Sequence, residues 1–141
     1  MKVNELRKGN IVYPKDEMYN GVLSPCEVLG IQPDKKICYI GNSKFKAGHL
    51  DMFVVDIVDV QPILITPDWL VTKFGFKDNG GGYYQHPEYN FFLFYHEEEE
   101  YFECYKQVPA NDDSGDFKTL QHVHRLQNLF YELFDEELTI K

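Results

Sequence analysis

Two histidines near the end of the chain, His122 and His124, are the residues whose type and spacing first suggest chemistry. Imidazole nitrogens bind zinc, and a helix presents two of them to one ion when they are three or four residues apart. Residues two apart on a helix point about 200° away from each other. We therefore predict no metal site here. We expect His122 to be a buried, hydrogen-bonded side chain within the apolar arc of a helix and His124 to lie near the polar edge.

The remaining candidates for catalysis also lack a known spacing. His49, His86 and His96 have no carboxylate or cysteine at ligand spacing, the chain has no CxxC pair, and it has no GxSxG nucleophile motif. Cys26, Cys38 and Cys104 are predicted to be buried structural thiols. The sequence therefore predicts no catalytic residue, no cofactor and no metal. An active or metal site assembled only in three dimensions is the alternative.

The glycine-rich segment 77–82 resembles a phosphate-binding loop only in part. A P-loop needs Lys followed by Ser or Thr after its last glycine, with a helix behind it. Here Tyr83 follows Gly82 and opens a β-rich run, so we predict a hairpin tip.

The negative charge of the chain is confined to its second half. Residues 1–65 hold eight basic and eight acidic side chains, whereas residues 66–141 hold six and fifteen, which gives the whole net charge of -9. Binding to a nucleic-acid backbone requires clustered Lys and Arg. We therefore expect no direct nucleic-acid binding by the second half.

An acidic turn followed by an alternating strand is the candidate partner surface. It comprises Glu97, Glu98, Glu99, Glu100, Tyr101, Glu103 and Tyr105. In a strand, side chains alternate between faces, so Phe102 and Cys104 share one face and Tyr101, Glu103 and Tyr105 share the other. If the first face is core, the second is a surface of aromatic rings and carboxylates that suits a basic protein partner. A solvated turn without function, or an acidic mimic of DNA that inhibits a host defence protein, are the alternatives.

The strands and helices that position these side chains predict an α+β chain with two subdomains, residues 1–65 and residues 66–141. Short β-rich runs with turn signals about every ten residues predict a small β-barrel, SH3-like in our interpretation, for residues 1–65. In residues 66–141, Thr66, Pro67 and Gly75 mark a short helix at 67–74, followed by an antiparallel meander. The segment 109–115 is predicted to be a loop. Residues 117–134 are predicted to form a long amphipathic helix packed on the meander sheet, with 138–140 adding a terminal strand.

Three segments also resemble a known family. NELRKGNIV, PILITPDWLVTKFGF and VHRLQNLFYELFDEELTIK are similar, in the same order, to segments of an uncharacterised family of small proteins from Bacteroidetes genomes, their phages, prophages and mobile elements. Similar stretches in that family read approximately NELRIGN, PIPLTEEWLLKFGF and VHQLQNLYFALTGEEL. Where the family has Gly after the last helix, this chain has Asp135, which adopts the left-handed conformation of a helix end more readily than most residues. The resemblance implies a phage or mobile-element context and no activity.

These observations favour a non-enzymatic, protein-binding accessory protein of phage or mobile-element origin. The first fifteen residues contain no apolar run of signal-peptide length, and no stretch is long and apolar enough to span a membrane, so we expect a cytoplasmic protein without a membrane partner. The oligomeric state and a role in the virion stay open.

Overall fold

A computed structural model describes residues 3–14, 25–32, 34, 37–41, 52–106 and 118–140. The chain is α+β, mostly β-sheet with one C-terminal α-helix in the described part. It divides into two compact units: Met1–Ile63 with His122–Glu137, and Leu64–Gln121 with Leu138–Lys141. The predicted loop at 109–115 and His49 lie outside the described residues.

The first unit contains a curled antiparallel sheet. Its five described strands are β1 (Ile11–Pro14), β2 (Cys26–Gln32), β3 (Ile37–Gly41), β4 (Met52–Asp56) and β5 (Val60–Gln61), in the order β4-β3-β2-β1-β5. A single 3-10 turn, Ile57–Asp59, joins β4 to β5. The β-rich first half is thus confirmed for the described residues.

Alternation along these strands places apolar side chains on the buried face of the sheet. The core of buried residues consists of Leu6, Val12, Cys26, Val28, Ile40, Val55, Ile57 and Val60. Cys26 is buried, as is Cys104 in the second unit, which confirms the burial predicted for these two cysteines. The side chain of Cys38 lies outside the description.

Helix α1 spans Val123–Phe134, and it starts six residues later than predicted. Residues Lys118–Leu120 form a strand instead, because their backbone groups pair with a neighbouring strand. The predicted apolar arc is largely right: four of its six members are buried and Leu133 and Phe134 are half-buried. The four are Val123, Leu126, Leu129 and Phe130. Asp135 ends the helix in the left-handed conformation, with φ 54°, as expected for the residue at that position.

Helix α1 belongs to the first unit and contacts β1. The contact includes a buried polar side chain, Gln127, which is 1% exposed. Its Oε1 accepts a hydrogen bond from the Ile11 backbone N–H (2.8 Å), and its Nε2 donates one to the Gly9 carbonyl (3.1 Å). Asn128 donates from Nδ2 to the Glu5 carbonyl (3.0 Å) and accepts from Asn10 Nδ2 (2.8 Å). These bonds satisfy backbone groups that would otherwise be costly to bury.

Charged groups extend this contact. The Arg7 guanidinium pairs with the Glu137 carboxylate and lies 4.1 Å from the centre of the Tyr131 ring. Arg125 pairs with Glu5 at 3.0 Å. Two of the segments quoted for the predicted family resemblance, around residues 4–10 and 123–138, thus contain the residues that join the helix to the chain before β1.

The second unit opens with the short helix predicted from its capping residues. Two α-helical residues lead into a π-helical turn, Trp69–Lys73, in which the Phe74 N–H donates to the Trp69 carbonyl (3.1 Å). The Thr66 hydroxyl caps the N-terminus by accepting from the Trp69 N–H (3.2 Å), and Gly75 follows at φ 73°. Trp69 is 8% exposed and contacts Phe74, so the single tryptophan of the chain is a core residue.

The antiparallel meander is also confirmed. Its strands are β6 (Lys77–Gly80), β7 (Tyr83–Gln85), β8 (Phe91–His96), β9 (Tyr101–Lys106) and β10 (Lys118–Leu120), in the order β10-β9-β8-β7-β6 among the described residues. Gly81 and Gly82, with φ 65° and 88°, turn the chain between β6 and β7. The predicted hairpin tip therefore begins later than expected, since most of the segment is itself strand β6.

The predicted division at residue 65 is corrected in one respect. The chain does change unit at residue 64, but helix α1 returns to the first unit, so 66–141 is not one subdomain. The physical reason is that Gln127 bonds to Ile11 of β1 and Asn128 bonds to Glu5 and Asn10 before it. The terminal strand predicted at 138–140 is wrong: these residues have no regular secondary structure, although Leu138 is buried.

Candidate functional site

The second sheet has a buried face and an outer face, and the alternation predicted for β9 holds. Phe102 and Cys104 are 0% and 3% exposed, and Leu93, opposite Cys104, is also fully buried. Tyr101 and Glu103 lie on the other face and are half-buried. Described outer-face residues from three strands are Tyr83, Gln85, Phe92, Phe94, His96, Tyr101 and Glu103. The sequence predicted a surface of aromatic rings and carboxylates on the outer face if Phe102 and Cys104 face the core. That condition is met.

The acidic turn lies where expected, between β8 and β9. Glu97, Glu98, Glu99 and Glu100 are all exposed. Glu100 has φ 54°, a left-handed conformation that favours Gly or Asn over Glu. The chain therefore places a carboxylate at a position where the backbone alone would favour another residue.

Behind the turn, His96, Tyr101 and Glu103 form one cluster. The Tyr101 ring stacks on His96, with ring centres 4.3 Å apart and planes at 21°. Glu103 Oε1 lies 2.8 Å from His96 Nε2, which is ion-pair distance without good hydrogen-bond geometry. Partial burial, the charges of Glu103 and Glu99, and a hydrogen bond to Glu103 raise the pKa of Tyr101. The phenol therefore stays protonated and lies in a negative potential.

A histidine beside a carboxylate is also half of a general-base pair. The His96 ring, however, lies between the edge of Phe94 (centres 4.9 Å apart) and the face of Tyr101, and its Nε2 atom is shielded from solvent. A substrate proton cannot reach that nitrogen directly. The arrangement favours a fixed surface over acid–base catalysis.

Aromatic rings continue across the outer face. Tyr83, Phe94, His96 and Tyr101 form what we call the aromatic ladder: Tyr83 contacts Phe94 (4.7 Å between centres), and Phe94 contacts His96, which stacks on Tyr101. Tyr83 is 49% exposed.

Sequence reasoning identified only Tyr101 among these four ring residues. The signal that could have found Phe94 and His96 is the alternation along 91–96, whereas Tyr83 joins the ladder through strand pairing. Of the predicted surface, Tyr105 occupies a position of β9 opposite Phe92, and its side chain lies outside the description.

His86, the third of the dispersed histidines, has a structural role. It is 5% exposed, and its Nδ1 accepts hydrogen bonds from the backbone N–H groups of Glu88 (3.1 Å) and Tyr89 (3.2 Å). Accepting at Nδ1 fixes the neutral tautomer with the proton on Nε2. The ring thus stabilises the turn between β7 and β8.

The prediction for His122 and His124 is wrong in its geometry. His122 precedes the helix with extended backbone (φ -124°, ψ 143°) and is half-buried, so the helical 200° argument does not apply. The two rings are nearly parallel, with centres 5.8 Å apart. It is His124 that is buried, at 2% exposed, and neither of its ring nitrogens has a hydrogen-bond partner.

Burial, and after it the neighbouring His122 and Arg125, lower the pKa of His124 to about 4, and Glu5 opposes them. The pKa of His122 is also lowered, first by burial and then by Arg125. Both rings are therefore neutral near pH 7.

In the described part of the chain, no group of three or more His, Cys, Asp or Glu residues could hold a metal ion. Also in that part, no helix has the length and apolarity needed to cross a membrane.

We expect no response of the His122 and His124 pair to metal. The ring nitrogens of His124 are shielded from solvent, and Arg125 and the positive end of the helix disfavour a cation there. A melting temperature that is unchanged by zinc or by a chelator is the expected result, since only a ligand that binds the native state raises it. A fall in melting temperature with chelator, absent from His122→Ala, would contradict this.

The chain matches no protein family, no curated protein and no solved structure, so the resemblance to the Bacteroidetes family stays a prediction.

Proposed function

We propose that this chain is a non-enzymatic accessory protein that binds a basic protein partner through the outer face of its second sheet. The observation that supports this most is the aromatic ladder bordered by Glu103 and the exposed run Glu97–Glu100. Tyrosine rings are common anchors of protein interfaces, and carboxylates around them select a positively charged partner. The proposal includes a cytoplasmic location and a phage or mobile-element origin, the latter resting on the resemblance alone.

For the first unit we propose an SH3-like barrel. The strand order β4-β3-β2-β1-β5, with β1 paired to β5, supports this. The 3-10 turn at Ile57–Asp59 between the last two strands also supports it. SH3-like barrels close in this way, with a short 3-10 turn leading into the final strand.

Binding to the partner is expected to depend on salt and on the acidic turn. Attraction between opposite charges speeds association, and salt weakens it as the Debye length falls from about 10 Å at 0.1 M to about 3 Å at 1 M. Replacing Glu97–Glu100 with Gln should slow association and leave the melting temperature nearly unchanged, because exposed charges contribute little to stability. The measurement is surface-based binding kinetics with the partner captured from host lysate on tagged protein.

A matched control separates the acidic turn from net charge. Neutralising four exposed acidic residues of the first unit, Asp34, Asp56, Glu132 and Glu136, changes net charge equally. We expect this control to bind the partner as the unsubstituted chain does and the acidic-turn variant to lose most of that binding. Equal retention by both variants would refute the proposed surface. A captured nuclease whose binding is competed by DNA would favour the DNA-mimic alternative.

A further inference from the structure

The aromatic ladder offers ring faces and edges beside carboxylates, which is a more specific chemistry than negative charge. Its four rings come from β7, β8 and β9, and each ring contacts the next one along the ladder, with ring centres 4.3 to 4.9 Å apart. Each ring is therefore held by its neighbours, and a ligand that stacks on them orders few side chains on binding.

Carboxylates lie at one end of this ladder. Glu103 contacts His96 and accepts a hydrogen bond from Tyr101, and the exposed run Glu97–Glu100 connects the strands that carry these two rings. The effect of Glu99 and Glu103 on the pKa of Tyr101 places negative potential at the phenol itself. A ligand at this end meets aromatic carbon and carboxylate oxygen together.

Two cationic side chains could occupy such a place, and their chemistry differs. The guanidinium of arginine is planar, weakly hydrated, stacks on aromatic rings and pairs with a carboxylate through two parallel N–H groups. The ammonium of lysine is compact and strongly hydrated, so leaving water costs it more. A phosphate or other anion is repelled by the same carboxylates.

Resting on the proposed function, we infer that the ladder recognises arginine: a guanidinium of the basic partner stacks at the Tyr101 end and pairs with carboxylates of the acidic turn. The aromatic ladder supplies selectivity for arginine over lysine, and the acidic turn supplies attraction for either. These two contributions are separable by substitution.

The test uses three short labelled peptides that differ only at one repeated residue, which is arginine, lysine or citrulline. Citrulline keeps the planar shape of arginine without its charge. Fluorescence anisotropy with the full chain should show arginine binding more tightly than lysine by up to roughly 30-fold, the ratio reached if lysine made none of a desolvated cation–π contact. Citrulline should bind more weakly than both.

Substitutions then assign the two contributions. Tyr101→Leu should reduce the preference for arginine to near unity, and Tyr83→Leu, at a ring that is 49% exposed and tolerant of change, should reduce it in part. Replacing Glu97–Glu100 with Gln should weaken both cationic peptides alike. Tyr131→Leu, at an exposed ring of the first unit, is the control that should keep the preference.

The outcomes distinguish this inference from the proposed function. Equal binding of arginine and lysine, lost in the acidic-turn variant, overturns arginine recognition and leaves a basic partner standing. Binding of citrulline as tight as arginine, or no binding of any peptide, also overturns the inference. The capture and kinetic experiment with the whole partner decides the proposed function independently.

Discussion

Replacing Phe130 with Ala should lower the free energy of unfolding of the first unit by about 3–5 kcal/mol. The side chain is 2% exposed on helix α1, and it contacts Phe134 with ring centres 4.8 Å apart. Removing the ring loses its transfer free energy from water and leaves a cavity that the neighbours fill only in part. Leu126→Ala, at a fully buried position one turn earlier, should cost about 2–5 kcal/mol for the same reason.

Two spectroscopic signals can follow the two units separately. The single Trp of the chain, Trp69, lies in the second unit, whereas the one described α-helix lies in the first. Urea unfolding followed by far-ultraviolet circular dichroism reports the helix, and Trp fluorescence reports the second unit. Glu132→Ala, at an exposed position of the same helix, is the control and should change stability by less than about 0.5 kcal/mol. A Phe130→Ala protein as stable as this control would show that the buried face is assigned wrongly.

Acid should destabilise the first unit through His124. Its pKa is about 4 in the folded chain and 6.5 in its ordinary state, so between these values the unfolded chain binds more protons. The contribution of His124 to the free energy of unfolding is therefore fully present above pH 6.5. It falls as the pH drops below that value and is fully lost just below pH 4. At 1.36 kcal/mol per pKa unit, the loss from this group is about 3 kcal/mol.

The groups around His124 explain why a proton is costly there. His122 stacks beside it, Arg125 lies on the same helix, and neither ring nitrogen has a hydrogen-bond partner to share a charge. Glu5 is the only carboxylate that favours the protonated ring among the influences on its pKa, and it is paired with Arg125.

The variant His124→Leu isolates this effect from other acid-sensitive groups. Leucine has similar bulk and does not titrate, so the difference in unfolding free energy between about pH 7 and about pH 4 should be about 3 kcal/mol smaller than in the unsubstituted chain. Urea unfolding followed by circular dichroism measures it. An equal pH dependence in both proteins would contradict the prediction, because it would show that His124 does not make the folded chain sensitive to acid in this range.

What the sequence by itself determined is local. The caps Thr66 and Gly75 predicted the short helix, the 3.6-residue period predicted the buried arc of helix α1, and the two-residue period of β9 predicted that Phe102 is buried. In each case the signal and its consequence lie within a few residues, where backbone geometry and burial act on the same short segment. The position of the acidic turn was likewise set by the strands that flank it.

Only the tertiary structure decided the features that join distant residues. Helix α1 lies against β1 and the residues before it because Gln127 and Asn128 bond to backbone groups more than 100 positions earlier, which no local period encodes. This placement of helix α1 also buries His124. The helix starts only after Lys118–Leu120 because these residues pair with β9 as a strand. The ladder exists because strand register sets Tyr83 opposite Phe94 and His96 opposite Tyr101. Register depends on which strands pair, and a shift of one residue would have turned each of these rings to the other face.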